Sequence, residues 1–102
     1  MIKCYYLNSG IIIMCNESDD NETLVDALNI RVRNDKIQGM IIEAVPLAFP
    51  IGINLVTLLK SDVDIMFEIP TDETLIKLYH DQLAIMNSPN IIQPQKSKLI
   101  LN

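Results

Sequence analysis

Alternating apolar and polar residues dominate most of the chain and predict β-strands. In Val63–Ile69, apolar side chains occupy every second position, and Asp64 and Glu68 lie on the opposite face. The same alternation predicts four earlier strands, at Ile2–Leu7, Ile11–Asn16, Leu24–Arg33 and Gly39–Val45. Residues 52–58 either continue the fourth of these strands beyond a bulge or form a separate short strand.

The connections between these strands are short, and one strand is unusually long. Asn8-Ser9-Gly10 is typical of the turn of a β-hairpin. In Leu24–Arg33, the pattern places Leu24, Leu28, Ile30 and Val32 on the inward face. Asp26 falls in the same register, which predicts that it lies near a bend of the strand or at the rim of the barrel. Because strands this short cannot fill two large packed sheets, we expect a mainly β, strongly bent, five-stranded open barrel.

A helix follows the last predicted strand. Pro70 ends the strand, and either Thr71 or Asp72 can cap the helix. Apolar residues then recur at helical spacing, at Leu75, Leu78, Tyr79, Leu83 and Met86. The pattern predicts a helix from about Asp72 to Asn87 that ends before Ser88-Pro89. Residues 1–89 are therefore expected to form one domain, and residues 90–102 a loosely held tail.

Composition limits the classes of partner. The net charge of −5 and the pI near 4.6 exclude a broad cationic surface for nucleic acid. Hydrophobic residues make up 49% of the chain, more than one small core can bury, so we expect a homo-oligomer. The uncharged run from Ala44 to Leu59 is shorter than the roughly 20 residues of a spanning helix and contains two prolines. We expect a soluble, cytoplasmic protein with no signal peptide and no membrane association.

Few residues in the chain are suited to catalysis or metal binding. His80 is the only histidine and lies in the predicted helix, where a solvated or edge-packed side chain is expected. Asp19, Asp20 and Glu22 lack the spacing of a calcium loop. Cys4 and Cys15 have no metal-binding neighbours and are expected to be buried free thiols. The sequence predicts a protein that is not an enzyme and needs no metal or other cofactor.

Four short segments resemble Sm and Sm-like proteins. Leu7-Asn8-Ser9-Gly10 is similar to the polar turn between their first two strands. Ile69-Pro70-Thr71-Asp72-Glu73-Thr74-Leu75, with Leu78-Tyr79 and Gln82, looks like the start of the helix in small Sm-like proteins of tailed phages, including cyanophages. Gly39-Met40-Ile41-Ile42 and Val45-Pro46-Leu47-Ala48-Phe49-Pro50 resemble their middle section. The resemblance covers most of the chain.

The resemblance implies a function as well as an SH3-type Sm fold. In that family a homo-oligomeric ring forms when the fourth strand of one subunit pairs with the fifth of the next, and we expect a pentamer to heptamer. It also implies binding of RNA or single-stranded DNA near the pore, by the loop after the second strand and the loop before the last. Those loops contain Asn21, Thr23, Lys60 and Ser61 here. A role in phage RNA or DNA processing, in the cytoplasm of the infected host cell, would follow.

Two alternatives remain open at this point. Arg31, Arg33 and Lys36 surround one turn and could contact phosphates at the rim of a ring, with Lys3 and Tyr5 nearby on an outward face. The first loop is acidic and lacks the stacking residue of the RNA-binding family members, and base stacking typically contributes about 1–3 kcal/mol per base. A ring-shaped structural or protein-interaction module without nucleic-acid binding is therefore the second hypothesis.

Overall fold

The computed structural model describes residues 1–47, 54–87 and, for the backbone, 97–101. The strands are β1 (Ile2–Leu7), β2 (Ile12–Glu17), β3 (Thr23–Asp35), β4 (Gly39–Pro46), β5 (Val56–Leu59), β6 (Ile65–Ile69) and β7 (Ser97–Leu101). A short 3-10 turn, Lys60–Asp62, joins β5 to β6, and the helix α1 spans Glu73–Met86. The expectation of a mainly β chain with a helix near its C-terminal end is confirmed.

The strands form one open antiparallel sheet in the order β6-β1-β2-β3-β4-β7. The 13-residue strand β3 is shared, since its first half pairs with β5 and its second half with β4. The described residues thus contain seven strands, and the expected number of five is wrong. Residues 56–59 form a strand separate from β4. Part of the segment expected to be a loose tail forms β7, which pairs with β4.

The long strand β3 bends at Asp26, which is the first of the two alternatives that the sequence left open. Asp26 has a positive φ of 53°, and the pairing of β3 with β2 and β5 shifts register around it. Aspartate tolerates this left-handed conformation better than most residues. The Tyr79 hydroxyl on α1 donates a 2.8 Å hydrogen bond to the Asp26 carbonyl. The helix therefore holds the bend that lets the sheet curl.

Both faces of the sheet are covered, each by its own apolar cluster. On one face, Cys4, Met14, Leu28, Ile30 and Ala44 pack under Leu78 and Tyr79 of α1. On the other face, Tyr5, Ile13, Cys15, Leu24 and Ala27 pack with Leu58, Val63 and Ile65. Because residues from β5 and β6 enter the same cluster as β1–β3, the sheet wraps around this second core.

The register shift at the bend means that the β3 residues before the bend and those after it do not follow one continuous alternation between the two cores. Leu24 and Ala27 share one cluster, whereas Leu28 and Ile30 belong to the other. Strict alternation from Leu24 would place Ala27 on the outward face, but Ala27 is fully buried. Val32, expected to face inward, is 52% exposed near the end of the strand. A strict alternation cannot continue through a bulge.

The helix begins where the sequence predicts. Of the two candidate caps, Asp72 performs this role, since its carboxylate accepts a 2.8 Å hydrogen bond from the Leu75 amide. The apolar face expected for the helix lies against the sheet. The helix ends at Met86, close to the predicted end at Asn87, and Ser88-Pro89 lies outside the described residues.

The two cysteines are buried free thiols, as expected. They lie on neighbouring strands but belong to different core clusters, on opposite faces of the sheet. Burial raises the pKa of the Cys4 thiol to about 11 and, with the nearby Glu17 carboxylate, that of Cys15 to about 12. Both thiols therefore stay protonated and unreactive at neutral pH.

Candidate nucleic-acid interface

The two loops singled out in the sequence lie side by side. The backbone amide of Lys60 donates a 2.8 Å hydrogen bond to the carbonyl of Glu22, and Thr23 pairs with Leu59 across β3 and β5. A surface pocket of about 530 Å³ lies at this junction and is lined by Asn21, Glu22, Leu59, Lys60 and Ser61. Three of the four candidate pore-loop residues therefore line one pocket. The fourth, Thr23, is half-buried beside it.

The loop between β2 and β3 is well ordered by its own hydrogen bonds. The Asp20 carboxylate accepts bonds from the Ser18 hydroxyl and the Glu22 amide, and the Ser18 hydroxyl accepts one from the Thr23 amide. Asn21 sits at the tip with a positive φ of 61° and an exposed side chain. Its amide group is therefore presented on a fixed loop, where it can donate and accept hydrogen bonds.

Lys60 is held by a buried carboxylate, which the sequence did not predict. Its Nζ lies 3.2 Å from Glu17 Oε1 and 5.4 Å from the centroid of the Tyr5 ring. The Tyr5 hydroxyl also donates a hydrogen bond to Glu17, which is only 5% exposed. We call Tyr5, Glu17 and Lys60 the Glu17 cluster. Because Lys60 is paired but one-third exposed, part of its positive charge remains available to the pocket.

The cluster changes the proton affinity of its members. Burial raises the pKa of Glu17, but the hydrogen bonds from Tyr5 and Lys60 outweigh it, so the pKa lies below its ordinary value. Burial and the bond to Glu17 raise the pKa of Tyr5 well above its ordinary value. At neutral pH Glu17 is therefore a carboxylate and Tyr5 a neutral phenol.

The lowered pKa of Glu17 makes stability depend on pH in the acid range. The folded state binds a proton at Glu17 less readily than the unfolded chain, so this contribution is complete above the unfolded pKa and is lost as pH falls below it. We expect the difference in unfolding free energy between the parent and Glu17→Gln to shrink between about pH 6 and pH 3. Urea unfolding at several pH values measures it. Glu22→Gln, in the same loop, is the control, and parallel pH profiles for the parent and Glu17→Gln would contradict the assignment.

The alternative rim residues are only partly free to bind phosphate. Arg33 Nη2 lies 3.1 Å from the buried Glu43 carboxylate, and Arg33 Nη1 lies 3.9 Å from Asp35. Arg31 and Lys36 are exposed and form no ion pair with the described residues. Arg31 and Arg33 line a wide groove of about 610 Å³, together with the exposed Val32. Lys36 lies in the following turn, away from that lining.

Lys3 and Tyr5 do not belong to this rim. The sequence placed both on an outward face near Arg31, but Tyr5 is 3% exposed and lies under Lys60. The Lys3 ammonium pairs with Glu68 on β6 at 3.2 Å. Alternation predicted that one face of the sheet would be polar and exposed to solvent. Both faces are covered instead, and the face that carries Tyr5 forms the second core.

The role of Glu17 was not predicted from the sequence, because Glu17 begins a run of acidic residues that is typical of a solvated loop.

An aromatic pair was also missed by sequence reasoning. Tyr6 on β1 stacks on Phe67 on β6, with ring centroids 5.1 Å apart and planes 10° apart. Phe67 is 51% exposed, and Met66 beside it is 55% exposed. The two rings come from strands far apart in the sequence, so no local signal indicated the pair.

His80 is exposed on α1 and contacts the edge of Tyr79, with ring centroids 5.8 Å apart. Within residues 1–47 and 54–87, no three His, Cys, Asp or Glu side chains are grouped closely enough to hold a metal ion. Within the same ranges, no helix has the length and apolar character needed to cross a membrane.

Comparisons with known proteins leave the family open: no protein-family model matches the chain, and neither a curated protein nor a solved structure matches it significantly.

Proposed function

We propose that this chain is a non-catalytic Sm-like protein that assembles into a homo-oligomeric ring and binds RNA or single-stranded DNA through the pocket at Asn21, Lys60 and Ser61. The observation that carries this proposal is the junction of the two loops, tied by the bond from the Lys60 amide to the Glu22 carbonyl. A role in phage nucleic-acid processing inside the host cell is part of the same proposal.

The curled sheet supports the Sm-like barrel. One antiparallel sheet wraps around the core of Tyr5, Ile13 and Leu24, and the short turn Lys60–Asp62 brings β5 close to β6. Such an arrangement is expected of a small, partly open SH3-type barrel. The bend at Asp26 supplies the curvature that a single long strand needs to take part in both halves.

The pocket supports binding of a nucleotide through polar contacts. Asn21 presents an amide, Ser61 a hydroxyl, and Lys60 a partly exposed ammonium group at one depression. In a ring each contact is repeated around the axis, so weak single contacts combine into measurable affinity. Exposed charges are screened beyond about 8–10 Å at physiological salt. The Lys60 side chains repeated around the ring can therefore attract a nearby phosphate although the total charge of the protein is negative.

A second function is favoured by a different observation. Lys60 is neutralised in part by Glu17, and Asp19, Asp20 and Glu22 are all exposed in the adjacent loop. Such surroundings repel phosphate, and the described part of the pocket carries no aromatic ring for a base to stack on. These features favour a ring-shaped structural or protein-interaction module without nucleic-acid binding.

Binding of short oligonucleotides distinguishes the two functions. Labelled U-rich, A-rich and mixed single strands are titrated by fluorescence anisotropy at two salt concentrations. We expect Lys60→Ala to weaken binding and to reduce the salt slope by about one unit for each phosphate that the lysine neutralises. Lys77→Ala is the matched control, because Lys77 is also paired with a carboxylate, Asp81, but lies on the exposed side of α1.

Each outcome of this experiment has a clear meaning. If Arg31→Ala and Arg33→Ala abolish binding and Lys60→Ala does not, the rim carries the site and the pocket assignment is wrong. If the parent protein binds none of the strands at low salt, the nucleic-acid function is wrong and the structural module takes its place.

A further inference from the structure

Among the described residues, the path β6-β1-β2-β3-β4-β7 ends in two strands that each have a free edge. Within residues 1–47, 54–87 and 97–101, β6 pairs with β1 alone and β7 pairs with β4 alone. The outer backbone groups of an edge strand can pair with another chain, and natural proteins usually protect or use such edges. The four-residue strand β5 pairs with β3 alone and lies off this path, so a sheet-to-sheet contact between copies of this chain involves β6, β7 or the short β5.

The edge of β4 is already occupied within the chain. Met40–Ala44 of β4 pairs in register with Ser97–Leu101 of β7 from the same chain. The pairing that the Sm resemblance implies, from the fourth strand of one subunit to the closing strand of the next, needs that same edge. Because β7 covers the edge of β4, the free edge on this side of the sheet belongs to β7.

The two free edges differ in charge. The segment from Asp62 to Glu73, which contains β6, has five acidic residues and no lysine or arginine. The segment from Lys96 to Asn102, which contains β7, has two lysines and no acidic residue. Lys3 lies 3.2 Å from Glu68 and offsets one of the acidic charges near β6, and Glu43 lies opposite Lys98 in the register and offsets one of the basic charges near β7. The remaining net charges, negative near β6 and positive near β7, still favour contact between unlike edges over contact between like ones.

The β6 edge also presents apolar surface. Met66 and Phe67 are each more than half exposed, and Phe67 is already fixed by stacking on Tyr6. A fixed aromatic side chain loses little conformational freedom on burial, which favours its use at an interface. Neither proline nor lysine occurs in β6, although both commonly protect exposed edges.

We propose that β7 of one copy pairs with β6 of the next, so that the subunits join head to tail through a strand that the Sm resemblance did not include. Unlike edges give a heterologous contact, which closes into a ring when the rotation between subunits allows it. This inference rests on the ring assembly proposed above, and it names the surfaces that join the subunits.

Charge reversal on β6 tests the contact. Glu68→Lys places a positive charge on the edge that meets the basic segment, and we expect the concentration for half-assembly to rise about tenfold. Asp81→Lys is a closely matched control. Glu68 and Asp81 are both 49% exposed and both paired with one lysine, but Asp81 lies on α1. Sedimentation velocity across a concentration series measures the shift. Equal effects of the two variants would overturn the proposal.

A second variant separates this contact from direct pairing through β4. Leu99→Pro interrupts β7, and we expect it to abolish assembly while circular dichroism still reports the folded sheet and helix. If β4 pairs directly with a neighbouring β6, removing β7 from its edge would leave assembly unchanged or strengthen it. That result would overturn the role of β7 and leave the proposed ring intact.

The assembly state of the parent protein shows whether the β6–β7 contact alone is wrong or whether the ring assembly is wrong as well. A parent that stays monomeric at high concentration would refute the ring assembly and the β6–β7 contact together. A parent that assembles, with Leu99→Pro and Glu68→Lys both assembling equally well, would refute the contact alone.

Discussion

Replacement of Tyr79 by alanine is expected to lower the free energy of unfolding by about 3–5 kcal/mol. Tyr79 is fully buried between α1 and the sheet, and its hydroxyl bonds to the Asp26 carbonyl at 2.8 Å. The substitution leaves a large cavity and also removes the partner of a backbone group at the bend of β3. Urea denaturation followed by circular dichroism measures the loss.

Two variants show which part of Tyr79 matters. Tyr79→Phe keeps the ring and removes the hydrogen bond, so we expect a loss of about 1–2 kcal/mol. His80→Ala changes the exposed neighbour and should cost less than about 0.5 kcal/mol. A Tyr79→Ala protein as stable as the parent would mean that α1 does not hold the bend.

Replacement of Glu17 by alanine is expected to destabilise the protein by about 1–3 kcal/mol and to strengthen oligonucleotide binding. The loss arises because the Tyr5 hydroxyl keeps its buried position without its acceptor. Lys60 is one-third exposed, so its released ammonium group can reach water and avoids the full penalty of an unpaired buried charge. The same release returns a full positive charge to the pocket. Denaturation and anisotropy titration measure the two effects.

The matched control for Glu17→Ala is Glu22→Ala. Glu22 is exposed in the loop beside the pocket, so its removal also takes away one negative charge but breaks no buried ion pair. If both variants strengthen binding equally, the general charge of the loop decides affinity. If Glu17→Ala weakens binding, the Glu17 cluster serves to orient Lys60 toward a phosphate.

The Glu17 cluster thus connects stability with the proposed function. One buried carboxylate anchors the turn that carries Lys60 to the end of β2, and this holds the two pocket loops together. The same carboxylate lowers the positive charge that a phosphate would meet. Under the proposed function, Glu17 therefore orders the pocket and at the same time weakens the electrostatic attraction of the pocket for nucleic acid.

Local sequence signals were enough for the elements whose pattern is complete within a few residues. The turn at Gly10 and the apolar face of α1 were predictable, the cap was narrowed to Thr71 or Asp72, and Asp26 was placed near a bend or the barrel rim. Each depends on backbone preferences or on periodicity within one element. The adjacency of the two loops, which the family resemblance implied, is also present in the structure.

Only the tertiary structure decided which partner each of four elements has: the strand β7 and the side chains of Lys60, Arg33 and Phe67. Glu17 looks like the start of a solvated acidic run, and it becomes a buried anion because β1 and the turn after β5 supply Tyr5 and Lys60. The segment Ser97–Leu101 has no strong strand pattern, and it becomes a strand because the edge of β4 has unpaired backbone groups. Contacts between residues far apart in the chain leave no periodic signal in either partner, so only the folded sheet reveals them.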